Sequence, residues 1–162
     1  MLTISENITI NSDINKIWVF ITDFSMSLQY NRFHTNLELP SNYSIVKMKK
    51  FKINHNFGFG NYNMVAEITE CIPPKRLCIS EYCTDDKKKG FSHSIEFQIE
   101  PYLDKSKIFY TVIGTYGGRV QDISFKPILK AVMIEELMKI KNAIESSEEA
   151  PKPITPESIK PI

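Results

Sequence analysis

The chain has 162 residues, 42% of them hydrophobic and 24% charged, which are ordinary globular values and argue against wholesale disorder or a fibrous repeat. Twenty Lys and Arg against nineteen Asp and Glu leave a formal charge of +1, so no global positive field gathers a phosphate backbone, and nucleic acid is not expected as a partner. The opening Met1-Leu2-Thr3-Ile4-Ser5-Glu6 lacks a basic segment followed by an apolar one, and no run approaches the roughly 18 apolar residues of a membrane span, so a cytoplasmic location is expected.

Leu2, Ile4, Ile8 and Ile10 alternate with polar residues, the period of a half-buried strand over 2–10. Ser12 and Asp13 can cap a helix whose Ile14, Ile17, Trp18 and Ile21 share one face and which ends near Asp23; a short helical turn is expected over 25–31. Pro40-Ser41-Asn42 breaks the chain before a strand over 43–54, whose alternation slips between Met48 and Phe51 and predicts a bulge. Phe57-Gly58-Phe59-Gly60-Asn61 reads as a turn, and 62–72 as a strand with Met64, Ala66 and Ile68 on one face. The glycine pair has strands on both sides, so it is not a dinucleotide-binding loop.

Pro73-Pro74 forces an extended break before a strand over 76–84, and 85–90 is a charged hairpin connection. Phe91, His93, Ile95, Phe97 and Ile99 then alternate cleanly with polar residues, giving one strongly apolar strand face. Pro101 to Ser106 turns the chain into a strand over 107–116 that Gly117-Gly118 ends. From Ser124 the period becomes helical: Leu129, Val132, Met133, Leu137, Ile140 and Ile144 form a stripe, with Pro127 in the first turn and Glu135–Lys139 a favourable i, i+4 pair. Residues 147–162 hold Pro151, Pro153, Pro156 and Pro161 and read as an extended, disordered tail, so the folded domain is expected over 1–146. Cys71, Cys78 and Cys83, odd in number and without Cys-x-x-Cys spacing, read as buried free thiols.

This order of elements resembles the helix-grip superfamily (SRPBCC) of birch-pollen-allergen-like proteins, lipid-transfer START domains and polyketide cyclases. Ile8-Thr9-Ile10-Asn11-Ser12 followed by Ile17-Trp18 and Ile21-Thr22-Asp23 is similar to that family's first strand and helix. Ile72-Pro73-Pro74-Lys75-Arg76-Leu77 is similar to its proline turn, and Glu136-Leu137 to Ile144-Glu145 to its closing helix. The resemblance implies an α+β fold: a curved antiparallel sheet of six to seven strands, two short helices after the first strand, and a long C-terminal helix over the concave face. It further implies a cavity used by members for lipids, quinones, hormones or polyketides.

On that basis the expected ligand-binding wall is Met64, Phe91, His93, Ile95, Phe97, Tyr110, Leu129, Met133 and Leu137, although the same side chains could simply fill a core. His93, placed by parity on the apolar face, is the candidate catalytic or ligand-bonding group. Tyr62, Tyr110 and Tyr116 offer hydroxyls to the same space; Glu136, at the edge of the helical stripe, reads as solvated or as a partner for a ligand or Arg119. His34 and His55 lie near expected loops without a carboxylate or thiol at ligand spacing and read as surface groups, so no metal and no cofactor are expected. Lys47, Lys49, Lys50 and Lys52, with Lys87 to Lys89, protect a strand edge or touch anionic lipid. The expected function is binding or transport of a hydrophobic small molecule. The alternatives are a cyclase/dehydrase-type enzyme using His93 and a tyrosine, and an adaptor meeting a membrane surface or, through the tail, a protein partner.

Overall fold

Asp13 decides where the first helix begins, because its Oδ1 accepts the N–H groups of Asn15 at 2.8 Å and Lys16 at 3.0 Å that the helix itself leaves unpaired. In the computed structural model, which describes residues 1–40, 43–45, 50–58, 60–84 and 91–146, this helix α1 (Ile14–Thr22) follows strand β1 (Leu2–Ile10). Asp23 ends α1 and caps the short α2 (Phe24–Ser27), accepting from the Ser25 N–H; a 3-10 turn over Leu28–Tyr30 completes the crossing. The chain then runs β2 (His34–Glu38), β3 (Lys50–Asn56), β4 (Asn61–Ile72), β5 (Arg76–Cys83), β6 (Ser92–Tyr102), β7 (Lys105–Thr115) and the long helix α3 (Arg119–Ser146). The seven antiparallel strands form one curved sheet in the order β1-β7-β6-β5-β4-β3-β2. The helical crossing thus carries the chain from one edge of the sheet to the other, after which a meander returns it until β7 pairs with β1.

The expected α+β architecture is therefore observed, with several local differences. A seventh strand, β2, forms where no strand was expected, with His34 opposite His55 and Leu37 opposite Ile53. Tyr43 does not start a strand: its hydroxyl donates to Asp23 Oδ1 at 2.9 Å and its ring stacks on Phe24, which holds this stretch against the α1–α2 corner. Pro101 lies within β6 rather than in a turn, and the β6–β7 connection is only Leu103-Asp104, with Leu103 at φ 56°. The expected bulge near Met48, the charged hairpin 85–90, Lys47, Lys49, Lys87 to Lys89 and the tail 147–162 lie outside the described residues.

Helix α3 starts at Arg119, so Pro127 lies inside it rather than in its first turn. The reason is Asp122, whose carboxylate accepts the Tyr116 N–H at 2.7 Å and the Thr115 hydroxyl at 3.0 Å, while Phe125 buries in the core, so the first two turns are anchored. The N–H that Pro127 lacks would have bonded the Ile123 carbonyl on an exposed face, where water can substitute. One face of α3, from Phe125 through Leu129, Val132, Met133, Leu137, Ile140 and Ile144, closes the sheet's inner side. Its C-terminal end is tied to the end of β1: Lys141 Nζ donates to the Thr9 carbonyl at 2.8 Å and Glu145 Oε1 accepts the Asn11 N–H at 2.7 Å.

Gly114 on β7 sits between Leu2 of β1 and His93 of β6. A Cβ there would lie 2.6 Å from His93 Cβ and 2.6 Å from the Phe91 ring, so the glycine makes room for both side chains. Gly114→Ala should therefore overpack this layer and lower stability by about 1–3 kcal/mol, read as a lower urea midpoint at an unchanged slope.

Candidate functional site

Strand parity sends three polar residues into the apolar interior. On β3, Phe51, Ile53 and His55 face inward; on β5, Leu77, Ile79 and Glu81; on β6, His93, Ile95, Phe97 and Ile99. Register then gathers them, since Glu81 pairs with His93, His34 on β2 pairs with His55, and β4 alone separates β3 from β5. Ala66, the partner of Glu81 on β4, offers only a methyl group, which leaves the carboxylate room to cross that strand. Glu81 Oε2 lies 3.0 Å from His55 Nε2 and 3.4 Å from His93 Nε2, with the Glu81 side chain fully buried.

The ring nitrogens have defined roles. His34 Nδ1 lies 2.6 Å from the Leu28 carbonyl and His93 Nδ1 2.8 Å from the Phe91 carbonyl; a carbonyl oxygen only accepts, so both Nδ1 atoms carry the hydrogen. In the neutral rings the Nε2 lone pairs are then the free ones. Neither nitrogen of His55 and neither oxygen of Glu81 makes a properly aligned hydrogen bond, so the 3.0 Å approach is electrostatic proximity rather than a directed bond. Burial and repulsion from His55 push the His34 pKa down to about 4, and burial likewise lowers that of His93. Burial alone would raise Glu81, but the surrounding imidazoles outweigh it and hold the carboxyl at about 2.

A second buried network lies under α3. Glu136 Oε2 accepts from Asn31 Nδ2 at 2.9 Å and from the Tyr110 hydroxyl at 3.2 Å, and Asn31 Oδ1 accepts the Phe33 N–H at 3.0 Å. Burial raises the Glu136 pKa to about 8, against the opposing effect of the two hydrogen bonds, and burial raises Tyr110 well above its ordinary value. Both groups are neutral at neutral pH. Towards the start of α3, Phe33, Phe57, Phe91, Tyr116 and Phe125 pack ring against ring, with Tyr116 and Phe125 at 4.4 Å between centroids.

Depressions at the surface border residues of both groups. One, of about 280 Å³ and almost wholly apolar, is lined by Tyr116, Gln121, Ser124, Phe125 and Ile128. The other, of about 200 Å³, opens between Ser25, Leu28, Gln29 and the β2 edge and includes His34 and Ile53.

Met64, Phe91, Ile95, Phe97, Tyr110, Leu129, Met133 and Leu137 are all buried in one interior cluster. His93 is buried as well but faces Glu81. Three readings of polar residues are corrected. His55 is buried and His34 half-buried at the rim of a cleft, and Glu81 supplies the carboxylate they were thought to lack; Glu136 is buried and bonded to Tyr110 and Asn31, not solvated. Glu81 and Asn31 were not anticipated, although Leu77, Ile79 and Glu81 continue one inward alternation that could have signalled the carboxylate. Tyr62 and Tyr116 are half-buried at the aromatic end.

No protein-family model matches the sequence, and no curated protein is recognisably related to it. Solved structures decide the fold. A conserved protein from Geobacillus kaustophilus superposes with a TM-score of 0.68 at 20% identity, covering 88% of this chain and 95% of its own. The fold is shared. The Aha1 dimer protein from Colwellia psychrerythraea matches at 0.62 with 18% identity over 92% of this chain and 100% of its own. DynU16, described as a putative protein in the dynemicin biosynthetic locus, matches at 0.60 with 13% identity over 89% of this chain but 47% of its own. These likenesses fit a helix-grip α+β fold. No described helix is long and apolar enough to cross a membrane.

The two polar networks give stability opposite pH dependences. Glu81 is held charged and His34 neutral, so their contributions are complete once the pH exceeds about 6.5, the ordinary histidine value. Glu136 is held neutral, so its contribution is complete below the ordinary carboxylate range and fades as pH rises through about 8. Chemical denaturation between about pH 6.5 and 8.5 should show stability falling by about 2 kcal/mol, and Glu136→Gln should flatten that decline.

Proposed function

We propose that this protein binds a small, mainly apolar molecule at the start of α3, with the aromatic cluster as its inner wall. The observation that carries this reading is the apolar depression formed by Tyr116, Gln121, Ser124, Phe125 and Ile128, about 280 Å³ in volume and continuous in chemistry with the rings of Phe91 and Phe57. A concave, apolar recess with a few polar groups is the usual form of a small-molecule site, and this one is close to the roughly 300 Å³ at which such sites begin. Ile128 of its lining stands exposed, as do Val120 and Ile123 in the same stretch of helix, apolar surface that a ligand or a donor membrane would cover. The likeness of the fold to helix-grip proteins is compatible with the same reading, with a lipid, quinone or polyketide-like molecule as the ligand class.

A second reading, cyclase/dehydrase-type chemistry, is favoured by the buried Glu136 carboxyl, kept protonated near neutral pH beside Tyr110 and so able to supply a proton to an enolisable carbonyl. The occurrence of one fold neighbour in a biosynthetic locus agrees with it. The adaptor reading has less behind it, because the described members of the lysine cluster are engaged: Lys50 with Glu67 at 3.1 Å and Lys52 with Glu38 at 3.5 Å.

Titration with a fluorescent fatty acid and a short-chain quinone should give saturable binding of one molecule per chain. Ser124→Trp, at an exposed position on the rim, should fill the recess and weaken binding at least tenfold with the unfolding midpoint unchanged. Absence of saturable binding, or equal binding by the variant, would refute the carrier reading. Turnover of an aromatic polyketide-like substrate that Glu136→Gln abolishes would favour the enzyme instead.

A further inference from the structure

We propose that His34, His55 and Glu81 form a binding site for one first-row divalent transition-metal ion, of the Zn²⁺ class, with His93 beside it, its Nε2 3.4 Å from Glu81 Oε2. One ligand atom from each of the three residues lies within 4.8 Å of the other two. Zinc bonds of about 2.0–2.2 Å place tetrahedral donors roughly 3.3–3.6 Å apart, so side-chain rotations of about 1 Å complete the set without moving a strand. The donors come from β2, β3 and β5, held by ladder registers that fix their backbones.

Four features converge on a cation rather than on a satisfied core network. The hydrogens on His34 Nδ1 and His93 Nδ1 are committed to the carbonyls of Leu28 and Phe91, so both rings keep an Nε2 lone pair, and that of His93 faces Glu81. That backbone anchoring is also what orients histidines in metal centres. The buried Glu81 carboxylate lies 3.4 Å from His93 Nε2 and 3.0 Å from His55 Nε2, an electron-rich arrangement in which only His55 has a ring hydrogen not already committed to a carbonyl. Both ring nitrogens of His55 and both oxygens of Glu81 are buried without an aligned hydrogen bond, and such groups are costly to bury unless they ligate something. An access route exists as well: the cleft between Ser25, Leu28, Gln29 and Leu37 leads from solvent to His34. Two or three imidazoles with a single carboxylate suit zinc, cobalt or nickel and disfavour calcium or magnesium, which take mostly oxygen ligands.

The site is independent of the apolar recess, so its test stands apart from that of ligand binding. Full-length protein without a histidine tag, stripped by chelator, should take up one Zn²⁺ per chain at micromolar or tighter affinity by calorimetry. Co²⁺ should give the d–d absorption of a four- or five-coordinate nitrogen–oxygen site with no thiolate charge-transfer band. His55→Ala and Glu81→Gln should weaken Zn²⁺ binding by at least about a hundredfold, as should His34→Gln, a half-buried position whose change is the least disruptive to folding. Replacing Cys71, Cys78 and Cys83 together by serine should leave binding intact. No stoichiometric uptake, uptake that survives both His34→Gln and Glu81→Gln, or uptake lost with the cysteines would overturn the assignment.

Discussion

The pairing of the first strand with the last organises everything else. β1 and β7 run antiparallel in unbroken register from Leu2 opposite Gly114 to Ile10 opposite Ser106. Once those ends are joined, the residues between them must leave one edge of the sheet and come back from the other, which is what the helical crossing and the meander accomplish. The join also brings the end of β1 beside α3, where Lys141 and Glu145 bond its last residues, so the helix cannot settle elsewhere than across the inner face. Long-range antiparallel pairing of this kind orders the chain late and cooperatively, because the loop it closes spans nearly the whole domain.

An interior built this way is expected to be apolar, and most of it is. The polar exceptions are grouped rather than scattered. Glu136, Tyr110 and Asn31 satisfy one another, and the carboxyl remains uncharged, so their burial costs little. Glu81 and the histidines differ: two of the three rings around a charged carboxylate give their hydrogens to backbone carbonyls instead, and His55 makes no well-aligned bond to it. Natural cores seldom tolerate that without function, and buried groups with strongly displaced pKa values gather at functional sites. The two networks therefore divide the inner surface into a self-contained part and a part that asks for a partner.

Much of the fold was legible because its signals were periodic. β1, β6 and the stripe of α3 could be read from alternation or helical spacing, and Asp13 from its capping position. What escaped were features set by tertiary contacts. β2 has a weak pattern of its own and exists because β3 offers it an edge; the start of α3 moved back because Asp122 finds Thr115 and Tyr116. The site was half legible. His93 was found from parity, and the same argument applied to β3 and β5 would have turned His55 and Glu81 inward. Their meeting across β4 depends on register and on the smallness of Ala66, and neither can be read from a single strand.

Pro127 gives α3 an unequal constitution. It removes one rung from the helix's own ladder just after the segment that borders the apolar recess, while Gly117 and Gly118 precede that segment. The first two turns are thus attached to the rest of α3 by fewer internal bonds than any later pair of turns, and to the sheet chiefly through Asp122 and Phe125. The hydrogen-bond ladder of α3 is thinnest at that boundary, so the packing of Asp122 and Phe125 carries more of the attachment there than it does in later turns. The end of α3 that borders the recess is then the part of the helix whose loosening disturbs the rest of the fold least.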